Sequence, residues 1–508
     1  MIFNPNDLTA IAPEITILVL ALAVLLIELI VTRNEKVLQT ITALGILAAF
    51  VIALFSMQPP TGAFNGMIAH DGVTVFMKML LGGVALLAVL MSGDYLRNTG
   101  VRHGEYYALV LLATVGMMVL ASASDLVTLF IGLETMSIAL YVLAGIRSDR
   151  ARSSEAALKY LLLGAFATGF LLYGMALIYG ATGGKTNMTE IAMEISRMND
   201  DYPSYLYIGV GLMMVGLLFK VAAVPFHFWS PDVYQGSPTP VTAFMSAGPK
   251  AAAFAVFIRL FGSALPELSV VWMPVLWIIA ALTMTLGNIV ALSQRDIKRM
   301  LAYSSIAHAG YLLLAVMAAG TIEAHEEAVA GMLFYLTAYY LMNLGAFTVA
   351  ILVSRSKKDG DYQIDDFKGM AHTHPFIAAA MALFMISLSG IPPTAGFFGK
   401  LYVFTAAVKA GLVPLVIIAV LNSALSVYYY LRIVVFMYMQ PETEKLSYRV
   451  SPAFGIVLVI CVVGILKFGI LPGYLAGYVK KSADHMAYPK PTVLSTTEIS
   501  GLVSTRSD

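Results

Sequence analysis

Apolar runs of roughly 20 residues recur from one end of this chain to the other, each long enough to cross a hydrocarbon core of ~30 Å. Lipid offers a backbone no hydrogen bonds, so a chain built this way folds as a helical bundle or a closed barrel. The short alternating strands of a barrel are absent. Only 12% of the 508 residues are charged and 59% are hydrophobic, whereas soluble domains run near ~25% charged. The expected class is therefore an all-α polytopic membrane protein. A net charge of +1 argues against a nucleic-acid partner. The single cysteine, Cys461, cannot by itself build a disulfide, an iron–sulfur site or a cysteine zinc site. The first apolar run lacks a small-residue cleavage motif and reads as a retained span.

Hydropathy predicts about 14 transmembrane helices, near 12–32, 37–57, 73–91, 105–122, 126–146, 156–180, 205–229, 240–261, 270–292, 300–319, 328–353, 376–407, 412–438 and 452–472. The bases are unevenly shared between the loops. Loops after odd-numbered spans hold Arg33 and Lys36; Arg97 and Arg102; Arg147, Arg150 and Arg152; Arg295, Lys298 and Arg299; Arg355, Lys357, Lys358 and Lys368; Lys445 and Arg449. Loops after even-numbered spans hold only Lys185, Arg197 and Lys409, and the loop Ser230–Thr239 holds none. Positive-inside counting puts the odd loops in the cytoplasm or matrix and both termini on the opposite side. The tail bases Lys480, Lys481 and Lys490 constrain orientation weakly.

Two of these spans are interrupted. Pro225 follows Lys220 in the seventh, and Pro392-Pro393 precedes Lys400 in the twelfth. Each joins a helix breaker to a cation where lipid tolerates neither an unpaired backbone group nor an unpaired charge, so both must face protein or water. Each broken span is also the fourth member of a block of five. Five is odd, so a second copy inserts upside down, and inverted repeats with discontinuous helices are a transporter feature. The expected organisation is a three-helix segment over 1–104, a first five-helix repeat over 105–261, an inverted second repeat over 270–438, and a last helix with a polar tail over 439–508. No polar connection has room for a nucleotide domain, and no phosphate loop or dinucleotide fingerprint is present.

Charges inside the spans carry the chemistry. Glu134 sits near the middle of span five, where an exposed carboxylate costs several kcal/mol. It is either a helix-packing anchor or the partner of a buried lysine whose proton affinity it sets. Lys220 lies too deep to reach the interface easily. Burial lowers a lysine's pKa and a nearby carboxylate raises it, so such a lysine can exchange a proton near neutral pH. Lys250 follows Pro249 in span eight, and Lys400 follows the twelfth-span break. Each is either bonded to carbonyls that proline frees or a further proton site. His227 and His308 are possible relays, since imidazole titrates near neutrality through either nitrogen; packed, hydrogen-bonded histidines are the equal alternative. Lys78, Lys159, Arg259, Arg432 and Lys467 lie in spans or near their ends, where Lys159, Arg432 and Lys467 can snorkel. Glu14 and Glu28 read as solvated ends of span one, and the 26 tyrosines and 28 methionines as packing and interface residues.

The run Pro225-Phe-His-Phe-Trp-Ser-Pro-Asp-Val-Tyr-Gln-Gly-Ser-Pro-Thr-Pro-Val-Thr-Ala-Phe-Met-Ser246 resembles the signature of the antiporter-like subunits of respiratory complex I, the NADH-quinone oxidoreductase. That family extends to multisubunit cation/proton antiporters and membrane-bound hydrogenases. The wording Pro231-Asp-Val-Tyr-Gln-Gly-Ser-Pro-Thr-Pro240 is most similar to the N branch. The resemblance implies two inverted five-helix repeats, broken helices seven and twelve, and a midplane proton path. It puts the family's glutamate on Glu134, its lysines on Lys220 and Lys250, and its twelfth-helix ionisable residue on Lys400. A lysine at that last place favours the N or L branch, and the short polar tail favours N. The implied function is proton translocation in the membrane arm, through water and His308 from Lys220 toward Lys250 and Lys400. The chain would bind no cofactor, with FMN, iron–sulfur clusters and quinone in partner subunits. Its partners would be a neighbouring antiporter-like subunit, the small membrane subunits and lipids. The implied location is the bacterial inner membrane, with both termini periplasmic. The alternatives are a secondary cation/proton antiporter subunit without electron transfer, and a structural spacer whose buried ions fix helix packing.

Overall fold

The computed structural model describes residues 5–30, 35–56, 61–101, 103–199, 201–354, 362–441 and 451–486. Of the orienting bases, Arg33, Arg102, Arg355, Lys357, Lys358, Lys445, Arg449 and Lys490 lie outside the described residues, as does the end of the tail. The chain is a helical bundle whose only sheet among the described residues is a small hairpin, Thr61–Ala63 against Ile68–His70. Thirteen described helices are long and apolar enough to cross a membrane. The remaining span is the twelfth, split into Pro375–Ser389 and Ala395–Lys409. About 14 crossings and the two interruptions therefore stand as expected.

Spans eight (Thr239–Phe257, continued by a π-helical turn Ile258–Ala264), ten (Ile297–Ala319) and eleven (His325–Ser354) form the buried centre. Span eight is walled in on every side, which its small residues Ala247, Gly248, Ala251, Ala252 and Ala253 permit. Spans one (Ala12–Ile30), two (Glu35–Phe55) and fourteen (Pro452–Ile470) lie outermost and expose rows of leucine, isoleucine and valine. The polar tail expected after span fourteen contains a helix, Pro472–Asp484, which packs against span eleven and against the start of span three (Gly72–Thr99).

Each interruption repairs its own backbone. In span seven, Ser204–Val221 ends at Ala222 in the left-handed region (φ 58°), and a short helix Trp229–Gly236 follows. The carbonyl of Phe219, which accepts from the Ala222 N–H at 3.0 Å, also accepts from Trp229 Nε1 at 3.0 Å, and the Val224 N–H donates to Thr283 Oγ1 of span nine (Ser269–Ser293) at 3.0 Å. In span twelve the first half ends at Gly390 (φ 84°), and the Gly396 N–H donates to Ser387 Oγ at 3.1 Å. Unpaired backbone polar groups, which lipid would penalise by several kcal/mol each, are thus held by protein.

The two halves repeat one another in backbone detail. Span five (Leu126–Ala144) begins where Leu126 N donates to Thr186 O and Met188 N donates to Ser124 O, at 2.9 and 2.8 Å. Span ten begins where Ile297 N donates to Tyr362 O and Ile364 N donates to Arg295 O, both at 2.8 Å. Asp125 and Asp296 cap the two helices in turn. Five crossings separate these starts, so they lie on opposite sides of the membrane.

Candidate functional site

Span five presents Glu134, Ser137 and Tyr141 at helical spacing, three and four residues apart. Lys220, in the last turn before the break in span seven, turns its ammonium to this face. Lys220 Nζ donates to Ser137 Oγ at 2.7 Å and reaches Tyr141 OH at 3.5 Å. Glu134 and Lys220 form no direct ion pair: a hydroxyl holds the lysine, and Glu134 Oε1 is buried without a hydrogen-bond partner. The carboxylate stands at the edge of an outward row, Val127, Ile131, Ile138 and Val142, all exposed. Span five thus shows Glu134 toward whatever covers that row and Ser137 toward Lys220.

Lys250, buried in span eight, donates to Ser305 of span ten twice, to its carbonyl and its hydroxyl, both at 2.8 Å. One turn further along span ten, His308 has a tyrosine hydroxyl at each ring nitrogen. Tyr335 of span eleven lies 2.5 Å from Nδ1, and Tyr430 of span thirteen (Val413–Met439) lies 3.0 Å from Nε2. Tyr430 also meets Ser304 Oγ at 2.5 Å. Lys400 lies past the twelfth-span break, its ammonium bound to the freed carbonyls of Leu388 (3.1 Å) and Ser389 (2.9 Å) and to Ser423 Oγ (2.9 Å). It also stands 5.2 Å above the Tyr311 ring, one turn from His308.

The structure therefore gathers Lys250, His308 and Lys400 around one face of span ten, and brings Lys220 of span seven to span five, which carries Glu134. His227 is not joined to either group. It lies half-buried in the turn after Pro225, and its Nδ1 has no hydrogen-bond partner.

Sequence reasoning missed the hydroxyls. Ser137, Ser305, Ser423, Tyr335 and Tyr430 are the first contacts of the charged groups, and several tyrosines assigned to packing line the site. Their signal was present as spacing: Ser304, Ser305, His308 and Tyr311 recur on one stripe of span ten. The reading of Glu14 as solvated is also corrected. Glu14 is 4% exposed and pairs with Lys78 at 2.7 Å, a bridge between spans one and three. Glu28 accepts from the Gly104 N–H at the start of span four (His103–Ser122). Lys159 does not reach for the interface; it bonds Asp232 and Glu155 at 2.8 and 2.7 Å.

Residues 123–426 match the family described as NADH:quinone oxidoreductase/Mrp antiporter, TM. The chain belongs to that family. Within the NADH:quinone oxidoreductase/Mrp antiporter family, it is 47% identical to NADH-quinone oxidoreductase subunit N of Trichlorobacter lovleyi over 95% of this chain and 98% of that one. It is 41% identical to subunit N of Chloroflexus aggregans over 94% and 97%. A subunit of respiratory complex I from Thermus thermophilus, solved with bound aureothin, superposes with a TM-score of 0.77 at 36% identity, covering 92% of this chain and 100% of that one. A chain of the Mrp complex from Dietzia sp. DQ12-45-1b shares the fold, with a TM-score of 0.81 at 20% identity over 95% and 97%. The protein is a multi-pass membrane protein of the bacterial inner membrane.

Proposed function

We infer that this chain is a proton-translocating membrane-arm subunit of NADH:quinone oxidoreductase, working through the two clusters around spans five and ten. The observation that carries the reading is the series of buried, hydroxyl-bonded bases Lys220, Lys250 and Lys400, with His308 between the last two. The near-complete coverage of the subunit N relatives supports it over a free-standing antiporter component.

In this mechanism Glu134 is the receiving end. A charge or conformational change in a neighbouring antiporter-like subunit, docked over the exposed row of span five, alters the field at Glu134. Lys220, held only by Ser137 and Tyr141, answers by taking up or losing its proton. Water between the clusters passes the change to Lys250, and the His308–Tyr335–Tyr430 group passes it on to Lys400. Each move shifts the next group's proton affinity by electrostatic coupling. The base-rich loops face the cytoplasm and both termini the periplasm. FMN, iron–sulfur clusters and quinone belong to partner subunits, and this chain carries no redox centre of its own. The five-helix blocks 105–261 and 270–438 are the functional halves, with 1–104 and 439–508 as flanking segments.

The test is substitution in the assembled complex. Glu134→Ala and Lys220→Ala should each lower pumping-coupled NADH:quinone turnover about tenfold or more, with assembly retained. Undiminished turnover and pumping in both variants would exclude the mechanism. Sodium-dependent flux without NADH would favour the antiporter class instead.

A further inference from the structure

The resemblance rested on Pro231-Asp-Val-Tyr-Gln-Gly-Ser-Pro-Thr-Pro240, and its Tyr234 hydroxyl meets Ser305, the partner of Lys250. The segment wraps the end of the bundle and borders a cavity of about 480 Å³. The cavity is lined by Arg147, Arg150, Arg152 and Lys298, with Asp296 the one acid among its lining residues.

Three features make this a built site rather than a solvated basic face. The first is convergence: spans six (Ala151–Ala181), eight and ten all begin at its wall, and the first two starts carry no side-chain cap. Helix N-termini present free N–H groups and positive dipole ends to an anion. The second is buried positive charge. Lys298 is 2% exposed and is held by two main-chain carbonyls, Gln235 O at 2.9 Å and Ser237 O at 2.6 Å, and by the Tyr362 ring 5.1 Å away, with no carboxylate in ion-pair range. Arg150 makes no side-chain hydrogen bond or ion pair among the described residues, whereas Arg147 is taken by Asp149 at 2.5 Å. The third is an unanswered donor. Ser237 is 2% exposed, lines the cavity, and its hydroxyl has no hydrogen-bond partner.

We propose that this cavity binds a phosphate-bearing anion between Arg150, Lys298 and the Ser237 hydroxyl. Guanidinium groups and helix N-termini match the oxygens of a phosphate, and the excess of bases suits a group that stays ionised at neutral pH. The site lies where spans begin, at the level of the headgroups, so one chemistry has two sources: an anionic phospholipid headgroup or free phosphate. The bound anion would neutralise Lys298 and so brace the segment that links span seven to span eight.

The experiment labels the assembled complex with phenylglyoxal and reads arginine modification by mass spectrometry. Nanodiscs are made of phosphatidylcholine alone, of phosphatidylcholine with phosphatidylglycerol, or of phosphatidylcholine with inorganic phosphate added. Arg150 should label in the first and be protected in at least one of the others, while exposed Arg197 changes in none. Protection by phosphatidylglycerol alone assigns the site to a lipid; protection by inorganic phosphate assigns it to a free anion. Ser237→Asp, which puts a carboxylate into the cavity, should abolish the protection. Arg150 labelling that neither anion alters in the wild-type complex overturns the proposal, as does protection that survives Ser237→Asp.

Discussion

A single hydroxyl decides what Lys220 can do. Had Lys220 paired directly with Glu134, the ion pair would hold its proton firmly; Ser137 instead gives it a neutral acceptor at 2.7 Å. Ser137→Ala removes that acceptor from a buried ammonium, which costs about 1–3 kcal/mol. The expected outcome is a lower unfolding temperature of the purified complex and severalfold slower coupled turnover, both largely restored by Ser137→Thr. The loop that closes span five offers a pH readout outside the membrane. Two hydrogen bonds from the Arg147 guanidinium hold the Asp149 carboxyl below its ordinary 3.8. A carboxyl held low contributes stability above its unfolded pKa and loses it as pH falls through the folded one. The protection factors of amides 145–150, corrected for the intrinsic exchange rate at each pH, should therefore stay flat at neutral pH and fall only below 3.8. Asp149→Asn should give the low protection factor at every pH. Glu134, Lys220, Lys250 and Lys400 were legible in the sequence because a charge inside an apolar run has no cheap alternative. Ser137 and Tyr430 were not, because serine and tyrosine sit in apolar helices for many reasons, and only their neighbours across the bundle give them meaning.

At the scale of the helix, the breaks were legible and the repeat only half so. Pro225 and Pro392-Pro393 announce interruptions by removing donors. The repeat showed in helix count alone, since side chains diverge between the halves. The structure recovers it in backbone bonds: one spacing carries Asp125 onto Asp296, Gly116 onto Gly287 and Met136 onto Ala307. Both glycines allow the same close approach, since a Cβ would come within 2.3 Å of Met136 N at Gly116 and 2.7 Å of Ala307 N at Gly287. What survives divergence is therefore what backbone packing demands. This predicts matched sensitivity on the two sides of the membrane. Asp125→Ala and Asp296→Ala each remove a helix cap, worth about 0.5–2 kcal/mol. Thermal unfolding of the purified complex should fall by similar amounts in the two variants. A loss confined to one of them would mean that the caps do unequal work despite their shared geometry. The π-helical turn Ile258–Ala264 had no sequence signal; it carries Arg259, whose side chain reaches across to Asp71 and Thr74 at the start of span three.

Across the whole molecule, two buried ion pairs outside the clusters at spans five and ten pin spans one and eight to span three. Lys78 joins Glu14 and the Ala10 carbonyl, at 2.7 and 2.6 Å. Arg259 grips Asp71 with two bonds of 2.9 and 2.8 Å, and Thr74 with a third of 2.8 Å. Span one is otherwise among the most lipid-exposed in the bundle, and lipid gives helices no hydrophobic reason to associate. A polar clamp between spans one and three supplies what apolar contact cannot. Breaking one half of such a pair strands a charge and costs about 3–5 kcal/mol, while replacing both halves with apolar groups is close to neutral. Glu14→Leu alone, or Lys78→Met alone, should therefore deplete the chain from the assembled complex. The double variant should restore assembly, and with it turnover, if the pair is a structural clamp. Restored assembly with turnover still lost would instead put Glu14 and Lys78 on the proton path, extending it into the three-helix segment before the first repeat. Comparing the yield of complex on native gels with NADH:quinone turnover per complex separates the two results.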